Sequence, residues 1–369
     1  MKRTEQQFLE LLQSGLWQRP AAAKIFRGPT DWNELFRLSK EQTVFGVVYD
    51  GIVTLPKELR PPRAFLMNWY AQVSYIEDMN RALNHTLTGM YDSYREQGFT
   101  PVLLKGQGLA ACYPNPLHRT PGDIDWLMGE QDYRRANEWV KRNGMAADAK
   151  ESNNHLQFTF EEQVIENHVE CIKLYRNSDQ QFLRSLTKKW FPAGSTTCRI
   201  QDKDIAVPPP AFNAVFLLLH IAKHLMGKGI GLRQICDWCR FLYVHRERID
   251  KEELAGYIRS FHLEALWNIF GRLSVVYLGY PEADMLCLRP GCEKQGRRVM
   301  RHIFVSGNFG HYNKVWKGRP VSYWRGKYFA FRKEMSRLVL LYRISPSDTW
   351  SFFVFFTKRG VKQVISDMF

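Results

Sequence analysis

Apolar residues recur at helical spacing over most of the first 95 positions. Phe8, Leu11 and Leu12 share one face, and Trp32, Leu35 and Phe36 repeat the pattern. Pro61-Pro62 breaks it. Over 64–97 the spacing of Phe65, Trp69, Val73, Ile76 and Leu83 predicts one long helix, with Gly98 as its stop. This segment carries no obvious chemistry and reads as a packing layer. The period then changes. Val102-Leu103-Leu104 predicts a short buried strand, followed by Lys105-Gly106-Gln107-Gly108, a short helix over 109–113 and a Pro114-Asn115-Pro116 turn. A second strand is predicted around Asp123-Ile124-Asp125-Trp126-Leu127. An amphipathic helix follows over 131–143, with Tyr133, Ala136 and Val140 inward and Gly144 as its cap. Residues 155–160 and 164–170 alternate at period two around a turn, which predicts a β-hairpin. On its second strand Glu166, His168 and Glu170 share one face, and Ile165, Asn167 and Val169 the other. Beyond Pro208-Pro209-Pro210 the chain reads as helices, beginning with a strongly apolar one over 212–226.

Helices, then a few strands, then helices again give an α+β fold. The expected core is a small mixed sheet with flanking helices over 99–207. A helical segment over 1–98 would pack on it, and a helical, basic domain would follow over 208–369. A chain of 369 residues is long enough for two domains, or for one with helical extensions.

The chemistry concentrates in the strands. Side chains alternate along a strand, so Asp123 and Asp125 point to one face while Ile124 and Leu127 are free to pack. Two neighbouring carboxylates repel unless a cation sits between them, and hard oxygen ligands at this spacing suit Mg²⁺ and a bound polyphosphate. An antiparallel strand beside this one would deliver a third carboxylate, with Glu166 first and Glu170 in reserve. The competing reading is that these polar residues face water on a half-exposed sheet.

Leu104-Lys105-Gly106 followed by Arg119-Thr120-Pro121-Gly122-Asp123-Ile124-Asp125 resembles the nucleotidyltransferase superfamily of DNA polymerase beta. More narrowly, it resembles a bacterial branch of uncharacterised nucleotidyltransferases. The resemblance covers roughly residues 65–240. Where the superfamily has Gly-Ser or Gly-Gly, this chain has Gly106-Gln107. The branch often shows Glu-x-His on the third-acid strand, matched by Glu166-Asn167-His168. The resemblance implies transfer of a nucleoside monophosphate from an NTP, ATP being the first expectation, to a hydroxyl acceptor with release of pyrophosphate. Two Mg²⁺ ions, or Mn²⁺ in their place, would be held by Asp123, Asp125 and Glu166. Lys105, Gly106, Gln107 and Arg119 would serve the phosphates. Lys105 has a structural pair at the strand end as its alternative, and Arg119 a salt bridge to Asp123. His168, His224, Arg233 and Asp237 match positions that recur in the branch and would shape a pocket. The bland counterpart is a buried Arg233–Asp237 pair joining two helices. His220 and His224 stand one helical turn apart without the intervening glutamate of zinc proteases, so packing is the simpler reading of that pair.

Charge adds a partner class. The net charge is +15 and the pI about 9.5, which favours polyanions. From Lys294 to Arg337 there are twelve Lys or Arg and one acid, Glu334, interleaved with aromatics such as Phe309, Tyr312, Trp316, Trp324 and Tyr328. This third would bind nucleic acid or an anionic surface, or form a solvated face over a core. The cysteine count, seven, is odd and without secreted-scaffold spacing, so reduced thiols in a cytoplasm are expected. Cys236-x-x-Cys239 lies in an apolar helical pattern without a second pair. No signal peptide is predicted, because Met1-Lys2-Arg3 leads into polar residues. The late apolar run over 350–356 is too short to span a bilayer. Two other function classes fit the same residues: a non-catalytic nucleotide or nucleic-acid binder, and a toxin or defence enzyme that modifies tRNA or protein.

Overall fold

The computed structural model describes residues 1–369 except 146–149, 152–154, 228, 309–317, 319, 321, 343, 345, 347–348 and 359–369. Four helices come first: α1 (Arg3–Trp17), α2 (Trp32–Glu41), α3 (Phe45–Thr54) and the 34-residue α4 (Arg63–Glu96). α1 and α3 touch backbone to backbone. A Cβ at Gly15 would overlap the Val47 carbonyl, and one at Gly51 the Leu11 carbonyl. Asp31 caps α2 by accepting from the Glu34 amide at 3.0 Å.

The sheet that positions the site is mixed and has five strands. These are β1 (Val102–Leu103), β2 (Ile124–Leu127), β3 (Lys150–Glu151), β4 (His155–Phe160) and β5 (Gln163–His168), in the order β1-β2-β5-β4-β3. Between β1 and β2 lies α5 (Gln107–Ala110), one turn long and placed two residues earlier than the sequence suggests. α6 (Glu130–Arg142) follows β2. On one face of the sheet Ile124, Trp126, Leu156, Phe158 and Ile165 pack against Leu83, Leu87, Met90 and Tyr94 of α4 and Ala136 and Val140 of α6.

Next come α7 (Asn177–Trp190) and the hairpin of β6 (Thr196–Ile200) and β7 (Lys203–Val207). Both elements lie in a stretch whose polar, weakly periodic pattern predicted no element. The remaining helices are α8 (Pro210–Gly227), α9 (Leu232–His245), α10 (Lys251–Ser260), α11 (Glu264–Leu278), α12 (Glu293–Ser306) and α13 (Tyr323–Tyr342); residues 349–358 are also helical. α8, α9 and α11 share a core with α1 and α3, so the first and last thirds of the chain meet in one apolar mass. Cys236 and Cys239 are fully buried in it, with thiols pushed up by burial, Cys239 to about 12. Among the described residues no helix is long and apolar enough to cross a membrane. In the basic stretch, Phe309, Tyr312, Lys314, Trp316, Lys317 and Arg319 lie outside the described residues. Of its remaining aromatics, Trp324 and Tyr328 are exposed.

Candidate active site

Alternation along β2 sends Ile124 and Trp126 into the α4–α6 layer and turns Asp125 to the opposite face. β5 lies beside β2 in register, with Asp125 opposite Glu166 and Leu127 opposite His168. Glu166 and His168 therefore rise on the Asp125 face. Ile165 and Asn167 go below, where Asn167 bonds the Tyr94 hydroxyl at 2.9 Å and Asn137 at 3.1 Å. The two strands run parallel, which corrects the antiparallel expectation. The reason is topological: β4 takes the antiparallel partnership of β5 on its outer side, and β5 reaches β2 by a crossover that contains α6. β5 also ends at His168. Glu170 lies past it, paired with Arg184 on α7, and so leaves the acid face.

The Lys105 ammonium lies 2.9 Å from Asp125 Oδ2. His168 Nε2 lies 3.0 Å from Asp125 Oδ1 and 3.1 Å from Glu166 Oε2. One ligand atom each from Asp125, Glu166 and His168 fall within 4.8 Å of one another, the sole such group found among the described residues. Asp125 is 1% exposed, with its Oδ2 facing the Lys105 ammonium and its Oδ1 the His168 imidazole. Two carboxylates and an imidazole whose ligand atoms converge in this way are a donor set that fits a divalent cation. Asp123 sits one residue before β2, half-buried, within the field of Asp125, Lys105 and Glu166.

The charges divide the three acids. Burial would raise the Asp125 carboxyl, but Lys105 and His168 hold it well below the usual range. His168 also lowers Glu166. Asp123 moves the other way, raised first by the Asp125 charge and then by burial. Burial disfavours the charged forms of Lys105 and His168. The acids beside them outweigh it, Asp125 foremost, so both are raised.

The loop that delivers Asp123 is braced by several helices. Gly106 has φ +61°, and a Cβ there would stand 3.1 Å from the Asp123 carbonyl oxygen, so the β1–α5 turn and the acid segment touch. Gln107 is buried and donates to Asn80 at 3.2 Å and Asn84 at 2.5 Å on α4; it faces the packing layer, in place of the phosphate role expected for it. Asn80 also donates to the Leu117 and Arg119 carbonyls. His118 bridges Asp50 of α3 at 2.6 Å and Glu77 of α4 at 2.8 Å. Arg119 forms a two-pronged pair with Asp237 of α9 at 2.8 and 2.9 Å, and the Tyr113 hydroxyl donates to the same carboxylate. Neither sequence alternative for Arg119 matches this: it touches Asp237, so it serves neither as a free phosphate ligand nor as the partner of Asp123. Arg233, expected to pair with Asp237, instead donates to the Thr120 and Pro121 carbonyls at 3.1 and 3.0 Å. Both arginines and Asp237 thus fix the approach to Asp123.

α8 carries the opposite wall. His220 and His224 stack edge to face at 4.4 Å, and neither belongs to a metal-ligating group among the described residues. Burial, then the charges of Lys105 and His224, drive His220 toward its neutral form. Lys223 was not singled out by the sequence. It is half-buried and has no ion pair among the described residues; burial and the charges of Lys105 and Lys173 lower its pKa, against the pull of Glu166. Its one signal in the sequence was a lone cation on an otherwise apolar helix.

Comparison with curated proteins and with solved structures gave no match. A family model described as uncharacterised nucleotidyltransferase matches residues 28–278, a span that contains every candidate above. The match covers more than half of the chain and runs from the N-terminal helices through the acid-bearing sheet to α11, and the chain belongs to this family of nucleotidyltransferases.

Proposed function

We propose that the chain is a Mg²⁺-dependent nucleotidyltransferase, built as in the DNA polymerase beta superfamily, which moves a nucleoside monophosphate from an NTP to a hydroxyl acceptor. The observation that carries this is the in-register pairing of Asp125 with Glu166 beneath Lys105 and beside Asp123, within the family match. In the transfer the acceptor oxygen attacks the α-phosphorus, the bond to the bridging oxygen breaks, and pyrophosphate leaves with the electron pair. Asp125, Glu166 and Asp123 would hold the metal, with His168 as a further ligand or as the hydrogen-bond partner that orients the two acids. The bound metal would supply charge neutralisation at the attacking and leaving oxygens.

The remaining work falls to the chain's own groups. Glu166, the third acid, would complete the site and favour deprotonation of the acceptor hydroxyl. Lys105 and Lys223, the latter without an ion pair among the described residues, offer positive charge to the triphosphate. The braced loop keeps Asp123 in place, so little reorganisation accompanies reaction. The test is calorimetric titration of each non-hydrolysable NTP with and without Mg²⁺, on the native chain and on Asp123→Asn and Asp125→Asn. Metal-dependent binding of a nucleotide, lost in the variants, supports the reading. Binding indifferent to both metal and mutation ends it.

A further inference from the structure

Helix α13 has two apolar faces, and the fold covers one of them. Leu338 and Leu341 are buried in the core that the first and last thirds of the chain share, and Arg337 donates to the Gly227 carbonyl at the end of α8. At about 3.6 residues per turn, Trp324, Tyr328, Phe331, Met335, Val339 and Tyr342 fall on another face, within an arc of about 80°. Trp324, Tyr328, Val339 and Tyr342 are 56–64% exposed and Phe331 is 45% exposed, while Met335 is half-buried. The row runs for about 27 Å along the helix. Single apolar side chains on a surface need no explanation, but a continuous row of them marks a place where something docks.

The charges beside the row are of one sign. Arg325 and Arg332 border it on one side and Lys327 on the other. Both arginines are exposed, and neither has an ion pair among the described residues. The one acid of α13, Glu334, is taken up by Arg337. The outward face therefore presents cations and hydrocarbon together.

A partner must answer both. A second copy of the chain would bring the same arginines against these, and like charges would oppose the pairing. A nucleic acid would satisfy the arginines and could stack bases on Trp324, Tyr328 and Phe331, but it has nothing to offer Val339, which has no ring face. An anionic lipid surface meets the whole row, with headgroup phosphates for the arginines and the acyl boundary for Phe331 and Val339. Trp and Tyr, apolar rings with a polar edge, favour that boundary. α13 is not apolar enough to cross a bilayer. A helix of this pattern lies in the plane of the interface instead.

We propose that α13 docks the protein on a membrane surface rich in anionic lipid, with Trp324, Tyr328, Phe331 and Val339 entering the headgroup layer and Arg325 and Arg332 on lipid phosphates. Such docking is independent of the reaction at the acids.

The experiment is co-sedimentation of the full chain with vesicles of phosphatidylcholine alone and of an equal mixture of phosphatidylcholine and phosphatidylglycerol, at low and high salt. The native chain is compared with a Tyr328→Ser, Phe331→Ser variant and an Arg325→Gln, Arg332→Gln variant. All of these positions are exposed, so both variants should match the native chain in urea unfolding. The native chain is expected to bind the anionic vesicles at least about tenfold more tightly than the neutral ones, and each variant to lose about tenfold or more of that affinity. The arginine variant should also show a shallower salt dependence. Failure to bind anionic vesicles, equal binding to neutral ones, or equal binding by the variants would overturn the proposal. A single-stranded oligonucleotide is tested in parallel. Its capture by the native chain, lost in both variants and without vesicle binding, would assign the face to nucleic acid and overturn the lipid assignment. A dimer seen by sedimentation and abolished by Tyr328→Ser, Phe331→Ser would overturn it in favour of a second copy.

Discussion

Asp125 and Glu166 are rung partners on adjacent parallel strands, and the His168 imidazole touches both carboxylates at 3.0 and 3.1 Å. Two acids brought this close by backbone pairing are held together whether or not their charges favour it. Lys105 and His168 make the arrangement tolerable by neutralising it from two sides.

Asp125→Asn is expected to lower pyrophosphate release with the preferred NTP by at least about a hundredfold, the scale of losing a main electrostatic contact at a reacting centre. Glu166→Gln should also impair turnover, by less. Circular dichroism and urea unfolding would check that the fold remains. Full turnover by Asp125→Asn would remove the basis for the acid assignment.

Lys223 separates binding from stability. As a half-buried cation without an ion pair among the described residues, it adds nothing evident to the fold. Lys223→Met should leave urea stability equal or higher while weakening NTP binding by about tenfold, or about 1.4 kcal/mol. Unchanged NTP affinity would show that the triphosphate lies elsewhere.

The Arg119–Asp237 pair is buried on both sides, at 5% and 8% side-chain exposure. Removing one partner strands the other, so Arg119→Met should cost about 3–5 kcal/mol in urea unfolding. The double variant Arg119→Met with Asp237→Leu should recover much of that loss. A double variant as unstable as the single would mean that Tyr113 and the loop carbonyls, and not the lone charge, set the cost.

His118 gives the fold a pH dependence. Burial lowers its pKa, but Asp50 and Glu77 outweigh burial and raise it above 6.5. The sign follows: the folded state binds the proton more tightly, so its contribution is fully present below about pH 6.5 and fades as pH rises through the higher folded value. Asp50, raised mainly by burial, acts in the same sense. The melting-temperature advantage of the native chain over His118→Gln should shrink from pH 6 to pH 8.5, while His220 and His245, lowered by burial, tilt the overall slope the other way. A slope unaffected by that change would place the titrating group elsewhere.

Gly51→Ala should destabilise by about 1–3 kcal/mol or more, because its methyl would drive into the Leu11 carbonyl where α1 and α3 touch. Chemical denaturation of this variant beside Gly256→Ala, where a Cβ meets nothing within 4 Å, provides the control.

The long helix α4, the amphipathic α6 and the β4–β5 hairpin were legible because each buries one face and exposes another, and that contrast is written in the residue period. The faces of β5 were legible for the same reason. Its direction relative to β2 was not, since alternation is identical read either way. Partners far apart in sequence were equally hidden: nothing local joins Arg119 to Asp237 or Gln107 to Asn80 and Asn84. Lys105 and Asp125 were legible as candidates because Lys-Gly after a strand and Asp-x-Asp on one are unusual in packing terms. Lys223 was passed over, since one polar residue on an apolar helix looks like an imperfection until its surroundings are known.

The pairing of β2 with β5 also has a parity. A slip of one rung would set Ile165 or Asn167 opposite Asp125 and turn Glu166 and His168 into the α4 layer. A slip of two would restore the face but move the acids apart by the length of two residues. The connection that leads from β2 to β5 can change in length without moving the paired acids, whereas the ladder admits a single alignment. Divergence in such a chain is therefore free to accumulate in how the strands are connected, and is barred from how they are counted.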